Sequence, residues 1–354
     1  MQTRNSGLVT VGLSGGVDSA VAALLLKRQG YEVRGVHLRL WEASPGTISE
    51  DVASAQFVAE QLQIPLEVLD WRERFLQEVI DPYVAALSAG KTPNPCMICN
   101  RKIKWGSLWQ HVQAQGAQYL ASGHYAQLVR VNGLVELHKA TSLAKDQAYF
   151  LSILDQATFQ HMLLPLGAYS KPQVRGIAAE AGLKVASRKD SEDLCFLKGV
   201  GQAGFLHHYA TDLLQLGPIR NCQGDVLGEH RGLPLYTIGQ RKGIRVAAEA
   251  PLYVMEKDVP TNTLIVGRSA ELAHSRIITG VPNWISGLAP ALEQSYEVKI
   301  RAAAIPVRAH LQISASGDMI ATLEKPLRDI TAGQYLVIYN GDLCLGSAEI
   351  IKSR

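Results

Sequence analysis

Leu8-Val9-Thr10-Val11-Gly12-Leu13-Ser14-Gly15-Gly16-Val17-Asp18-Ser19 reads as a short buried strand that runs through a glycine-rich turn into a helix. Glycines admit positive φ and let a ligand approach the backbone, and the free N–H groups at the start of the following helix face whatever binds there. The expected ligand is phosphate-like. No Lys follows the glycines, so the segment is not a Walker loop, and it lacks the GxGxxG spacing of dinucleotide sites. The competing reading is an ordinary turn in which Ser and Asp cap the helix.

Working outward, strand and helix patterns alternate as far as about residue 195, as in an open, mostly parallel sheet. Ala20 to Arg28 gives a helix, Glu32 to Leu38 a strand, Ser49 to Leu62 a helix and Leu66 to Leu69 a strand. Arg72 to Leu87 gives a further helix and Tyr119 to Ala121 a further strand. Ligands are expected at the carboxyl ends of these strands, where residues 12–19, 39–47 and 122–125 meet. Asn132-Gly133 between two apolar runs predicts a hairpin that leaves the parallel sheet. Gly182 to Ala186 reads as a helix-to-strand passage, and residues 217–230 as turn-rich. Strand-length apolar segments then recur around 252–255, 264–266, 296–300, 307–311, 319–323 and 335–339. The expected fold is therefore an α/β domain over residues 1–205, a small β-rich domain over 206–280 and a β-barrel over 281–354, whose closure hides its strand edges.

The 354 residues carry 35 Lys plus Arg against 32 Asp plus Glu, a formal net charge of +3, so any nucleic-acid surface has to be a local basic patch. Arg101, Lys102 and Lys104 form one such cluster, and Arg241, Lys242 and Arg245 another; each also reads as an ordinary solvated face. No stretch approaches the ~20 apolar residues of a membrane span, so a cytoplasmic protein with no membrane partner is expected. Five cysteines, an odd number, argue for individual roles over a disulfide scaffold.

Thr92-Pro93-Asn94-Pro95-Cys96-Met97-Ile98-Cys99 is the second chemical centre. Read as the start of a helix, Cys99 should have a depressed thiol pKa, favoured by the helix dipole and by Arg101 and Lys102. The CxxC pair by itself reads as a redox pair, half of a metal site or, ahead of either, two cysteines in a buried turn. Asp190-Ser191-Glu192-Asp193-Leu194-Cys195-Phe196 adds an acidic run suited to Mg²⁺-bound pyrophosphate and a third cysteine. By itself Cys195 also reads as a buried structural residue. Two cysteines on separate loops permit persulfide chemistry, in which one carries sulfur and the other releases it by forming a disulfide. Cys222 and Cys344 lack such surroundings and read as structural.

The Ser14-Gly15-Gly16-Val17-Asp18-Ser19 segment resembles the pyrophosphate loop of enzymes that adenylate an oxygen with ATP. With residues 92–105, 122–126, 145–151, 187–196, 235–243 and 333–350 in the same order, the whole chain resembles the tRNA-specific 2-thiouridylase family, which replaces the C2 oxygen of the wobble uridine with sulfur. The resemblance implies that Gly12, Leu13, Ser14, Gly15, Gly16, Val17, Asp18, Ser19, Leu38 and Gly123 surround ATP with Mg²⁺. It further implies that Cys195 carries the persulfide and that Cys99 is the nucleophile or resolving thiol. Asn94, Pro95, Cys96, His124, Lys145, Asp146, Gln147, Arg301, Ala302 and Gln334 correspond to positions near the tRNA or its target base. Sulfur would come from a cysteine desulfurase or a persulfide relay protein, and a cellular thiol reductant would reset the disulfide.

Two departures from the family pattern bear on this reading. Cys96 stands where many members have Asp, so that Cys96, Cys99 and Cys195 form a three-thiol set able in principle to ligate a [4Fe-4S] cluster. Arg301-Ala302-Ala303 replaces a more polar segment. Two other functions compete: a ligase that adenylates a small carboxylate, which leaves the paired cysteines unexplained, and a noncatalytic RNA-binding module, for which the basic patches and barrel suffice.

Overall fold

The computed structural model describes residues 7–42, 50–188 and 194–354. The opening segment forms β1 (Leu8–Gly12), whose Val9 and Val11 have no solvent exposure. Such two-sided burial belongs to a central parallel strand covered by helices on both faces. Around it lie β2 (Glu32–Arg39), β3 (Leu66–Asp70) and β4 (Tyr119–Ala121). The hairpin β5 (Gln127–Val131) and β6 (Leu134–His138) follows, and then the short β7 (Met162–Leu163). The sheet runs β3-β2-β1-β4-β7, every pair parallel. Its strand order reverses between β1 and β4, which opens a crevice at their carboxyl ends.

Two further sheets follow. β8 (Gly217–Asn221), β9 (Val226–His230), β10 (Tyr253–Asp258) and β11 (Thr263–Gly267) form a four-stranded sheet ordered β10-β11-β8-β9. The third sheet contains β12 (His274–Thr279), β13 (Asn283–Trp284), β14 (Ser295–Lys299), β15 (Val307–Ile313), β16 (Met319–Leu327), β17 (Tyr335–Asn340) and β18 (Leu343–Ser353). Its path β12-β16-β15-β14-β17-β18 returns to β12, closing a barrel and removing both edges. Alternate residues such as Ala309 and Leu311 on β15 point into its core, as a period of two requires.

Two elements differ from their sequence reading and a third agrees with it. Residues 217–230 are two strands joined by a turn at Gly224; Pro218 sits in β8 and the outer strand β9 leaves Val226 and Leu227 exposed, so neither strand has a clean apolar alternation. The passage after Gly182 is a 3₁₀ turn, Lys184–Ser187, with no strand. The hairpin does leave the parallel sheet, and β6 pairs with β18 of the barrel (His138 with Leu343, Leu137 with Cys344).

That pairing makes one body of the first and third units. Tyr149 Oη donates to the Tyr335 carbonyl at 2.9 Å, and Asn283 Nδ2 to the Ser152 and Leu154 carbonyls at 3.0 and 2.9 Å. Cys344 is buried in the apolar cluster between them, as expected of a structural residue, whereas Cys222 lies exposed after β8. Among the described residues no helix is long and apolar enough to cross a membrane.

Candidate active site

The turn after β1 leads into the helix Val17–Arg28 through Gly16, whose extended backbone carries no side-chain cap, so the capping alternative does not hold at this position. The turn is braced from within and behind. Ser19 Oγ donates to the Gly16 carbonyl at 3.1 Å and accepts from the Ser14 amide at 3.2 Å. Ser54 Oγ and Arg188 Nη1 both donate to the Gly15 carbonyl at 2.7 Å. The loop carbonyls are thus turned away and held, which leaves the helix N-terminus facing outward for an anion.

Asp18 serves a different purpose from helix capping. Lys171 Nζ lies 2.8 Å from each of its carboxylate oxygens, and Tyr125 Oη donates to Oδ1 at 2.6 Å. A Cβ on Gly123 would lie 2.8 Å from the carbonyl carbon of Asp18 and from the amide of Ser19, so only glycine lets the β4 loop close against this turn.

Gly12, Leu13, Ser14, Asp18 and Ser19 line a cavity of about 480 Å³, joined by Leu38 and Gly123. Its other walls include Pro95, Cys96, Cys99, His124, Gln147 and Cys195, so the expected nucleotide and cysteine segments open into one space. Gly15, Gly16 and Val17 support that wall without lining it. The expected loop at 39–47 contributes Arg39, Leu40, Trp41 and Glu42, while residues 43–47 and the acidic run at 190–193 lie outside the described residues.

The cysteine geometry corrects one expectation. The helix starts at Pro95 and runs on past Cys99 through residues 100–107 and Leu108–Ala114, so Cys99 lies one turn in from the start, where the N-terminal dipole has faded, and the thiol is buried. Arg101 and Lys102 are exposed. Burial pushes the Cys99 thiol up to about 12, against an opposing pull from Lys104 and with smaller upward pushes from Cys195 and Cys96. Burial raises Cys96 as well, and takes Cys195 to about 11. Cys195 is exposed to solvent, yet protein atoms crowd its sulfur, so exposure and desolvation coexist. It is not a buried structural cysteine. Phe196 is the buried neighbour, packed at ring distances of 5.2 Å from Tyr83 and 5.0 Å from Phe205, and it anchors Cys195 at the cavity wall. All five cysteines are free thiols.

His124 shares a 2.6 Å hydrogen bond between Nδ1 and Ser122 Oγ, and burial followed by the charge of Lys104 drives its pKa down to about 3. The imidazole is neutral at physiological pH. Gln147 Oε1 accepts from the Tyr125 amide.

Other candidate positions are engaged elsewhere. Asp146 accepts from the amides of Ala140 and Ala148. Arg301 Nη2 donates to the Asp329 carbonyl at 2.9 Å and to Thr331 Oγ1 at 2.8 Å, next to half-buried Ala302. Gln334 Nε2 donates to the Thr92 carbonyl at 2.8 Å, ahead of Asn94, which precedes the cysteine helix. Asn94, Lys145, Asp146, Arg301, Ala302 and Gln334 do not line the cavity.

Sequence reasoning missed Lys171, Tyr125 and Arg188 as supports of the turn. Lys171 follows Asp18 by 153 residues and Arg188 follows Gly15 by 173, separations that no local pattern connects. It also placed Lys104 with Arg101 and Lys102 on an RNA-facing surface, whereas Lys104 lines the cavity.

Among the described residues no three His, Cys, Asp or Glu side chains are arranged to hold a metal ion. The three thiols have the chemistry for a [4Fe-4S] cluster but are not grouped as a ligand set. For Mg²⁺, the lining carboxylates Asp18, Glu42 and Asp51 are each ion-paired, with Lys171, Arg72 and Arg188. The metal's ligands would therefore come mainly from the phosphates it accompanies, as Mg²⁺ commonly binds.

Comparison with known proteins agrees with this division of the chain. Residues 7–199 match a domain family described as a tRNA methyl transferase HUP domain, 203–268 a tRNA methyl transferase PRC-barrel domain and 274–350 an aminomethyltransferase beta-barrel domain. The tRNA-specific 2-thiouridylase MnmA of Lachnoclostridium phytofermentans is 38% identical over 356 residues, covering 97% of this chain and 99% of that protein. The protein of the same name from Dichelobacter nodosus is 39% identical over 365 residues, covering 100% of this chain and 96% of the relative. A solved U34-tRNA thiolase, NcsA of Methanococcus maripaludis with its [4Fe-4S] cluster, aligns over 55% of this chain and 62% of its own at 20% identity and a TM-score of 0.37, too distant to inform the site.

Proposed function

Because the chain belongs to the tRNA-specific 2-thiouridylase family, we propose that it uses Mg²⁺-ATP to replace the C2 oxygen of a tRNA wobble uridine with sulfur, releasing AMP and pyrophosphate. The observation that carries this is the shared cavity: the anion-cradling turn after β1 and three thiols face one space. A ligase needs no such thiols, and a binding module needs neither. Methyl transfer, named in the descriptions of two of the domain families, likewise accounts for neither the turn nor the thiols.

In this reading residues 12–19, with Leu38 and Gly123, hold ATP, and the uridine C2 oxygen attacks the α-phosphate, expelling pyrophosphate. The terminal sulfur of a Cys195 persulfide attacks C2 and the C2–O bond breaks, its electron pair leaving with AMP. Cys99, as thiolate, attacks the Cys195 sulfur; that S–S bond breaks toward the sulfur on C2, leaving thiouridine and a Cys99–Cys195 disulfide. A two-electron thiol reductant restores the enzyme. Neutral His124, Gln147, Pro95 and Cys96 are assigned to the target base, which must leave its stack to enter the cavity, and Asn94 to the tRNA beside it. Lys145, Asp146, Arg301, Ala302 and Gln334 are assigned to the surroundings of the tRNA, the last four through the loops they brace. A cysteine desulfurase or relay protein supplies sulfur in the cytoplasm. No step is routed through an iron–sulfur cluster.

The test is anaerobic incubation of iron-free protein with Mg²⁺-ATP, a persulfide donor and unmodified tRNA. Thiouridine and AMP are expected in equal amounts; Cys195→Ser abolishes transfer, Cys99→Ser accumulates persulfide on Cys195, and Cys96→Ser is the mildest of the three. Iron-free protein that is inactive with Mg²⁺-ATP until reconstituted with iron and sulfide overturns the persulfide mechanism. RNA binding without AMP release overturns the enzymatic reading.

A further inference from the structure

Lys104 is the residue whose surroundings the mechanism above leaves unused. It is half-buried and lines the cavity with Cys96, Cys99, Cys195 and His124. Its position follows from an unusual local winding: residues Asn100–Ser107, directly after Cys99, form a π-helix. On an α-helix, five residues correspond to a rotation of about 140° beyond a full turn, which would aim residue 104 well away from the side of Cys99. The i→i+5 repeat of a π-helix brings the two positions back toward one face. Arg101 and Lys102 stay outside.

The cavity's charges otherwise cancel locally. Asp18 pairs with Lys171, Asp51 with Arg188, and Glu42 with both Arg39 and Arg72. His37 is buried, with Nδ1 on the Leu13 carbonyl, and burial lowers its pKa, while His124 is neutral. Among the described residues Lys104 has no carboxylate within ion-pair distance, and its field reaches all three thiols and His124. A cation that, among the described residues, faces three thiols and no carboxylate suits a site where negative charge appears only during reaction.

We propose that Lys104 is a catalytic residue of sulfur transfer, its ammonium stabilising the negative charge carried by the persulfide sulfur at the cysteines as it attacks C2. This rests on the thiolation reading and adds to it a charge specific to the second half-reaction. Adenylation gathers its charge at the turn after β1, where Lys171 and Arg188 lie; sulfur transfer gathers it at the cysteines. Loss of a preorganised charge partner of this kind typically costs about 100-fold or more in rate.

The experiment compares wild-type protein with Lys104→Gln and Lys104→Arg. In single turnover, Lys104→Gln should slow thiouridine formation about 100-fold, far more than tRNA-dependent pyrophosphate exchange, and Lys104→Arg should recover most of the loss. Equal loss in both half-reactions with weakened tRNA binding would make Lys104 an RNA-backbone contact and overturn the proposal, as would no loss at all. If the Gln variant melts early, Lys104→Met, which keeps the apolar stem, takes its place. A second readout needs no tRNA: the ratio of alkylation rates of Cys195 by anionic iodoacetate and neutral iodoacetamide. That ratio should fall several-fold in Lys104→Gln, and an unchanged ratio overturns the placement of the charge. Wild-type protein that makes no thiouridine yet shows the ratio change would refute the thiolation reading and leave the charge assignment standing.

Discussion

Cys99 shows how one residue's chemistry depends on its position within a turn of helix. Read as a helix start it should ionise easily; buried one turn into the helix that begins at Pro95, it holds its proton to about 12, and Cys195 to about 11. Unfolded thiols ionise near pH 8.5. Native and unfolded chains are both protonated below that value, and above it only the unfolded chain releases protons, so this contribution to stability is lost as pH rises from about 8.5 through 11–12. Lys257, which burial lowers to about 8, works in the opposite direction between about 8 and 10.5. The urea midpoint in reductant should therefore fall less between pH 8 and 10 in a Cys99→Ser, Cys195→Ser protein than in wild type; identical falls would contradict the assignment. At the same scale, Asp18→Ala removes the carboxylate that holds Lys171 and Tyr125. AMP formation should drop about 100-fold while tRNA affinity stays within about twofold, measured by pyrophosphate exchange and filter binding.

At the scale of the element, the π-helix at 100–107 decides which side chains face the cysteines. Gly106 permits it: a Cβ there would lie 2.6 Å from the Arg101 carbonyl oxygen, five residues back, as the i→i+5 winding brings the two together. Gly106→Ala should cost about 1–3 kcal/mol of stability through this overlap and slow sulfur transfer more than adenylation. Thermal melts and the two half-reaction assays check it, and unchanged values in both would remove the π-helix from the account. The β1 turn is the contrasting case, because its strand, glycines and helix form a local pattern that period and spacing reveal.

At the scale of the molecule, residues 91–92, which lead into the cysteine helix, are held by all three units. Thr92 N donates to the Ala332 carbonyl, Gln334 Nε2 to the Thr92 carbonyl, Lys91 pairs with Glu349 at 2.8 Å, and Lys257 Nζ donates to the Lys91 carbonyl. The barrel and the middle sheet thereby set the approach to Cys96 and Cys99. Gln334→Ala, which unlatches Thr92 without touching the cavity, should lower the thiolation kcat several-fold with little change in the KM for ATP. A loss confined to tRNA affinity would instead mark Gln334 as a direct RNA contact.

The sequence by itself determined the α/β unit, its glycine-rich turn, the excursion of the hairpin, the β-rich tail and the cysteine segments that the cavity joins, because each is written in a short window as periodicity, glycine placement or spacing. Only the tertiary structure decided that Asp18 faces Lys171, that the hairpin completes its pairing on β18, that Gln334 holds Thr92 and that Lys104 turns inward. Those facts join residues far apart in the chain or depend on an uncommon helical winding. The raised thiol pKa values belong with them, since desolvation is set by the whole surrounding volume and has no signature in the residues next to a cysteine.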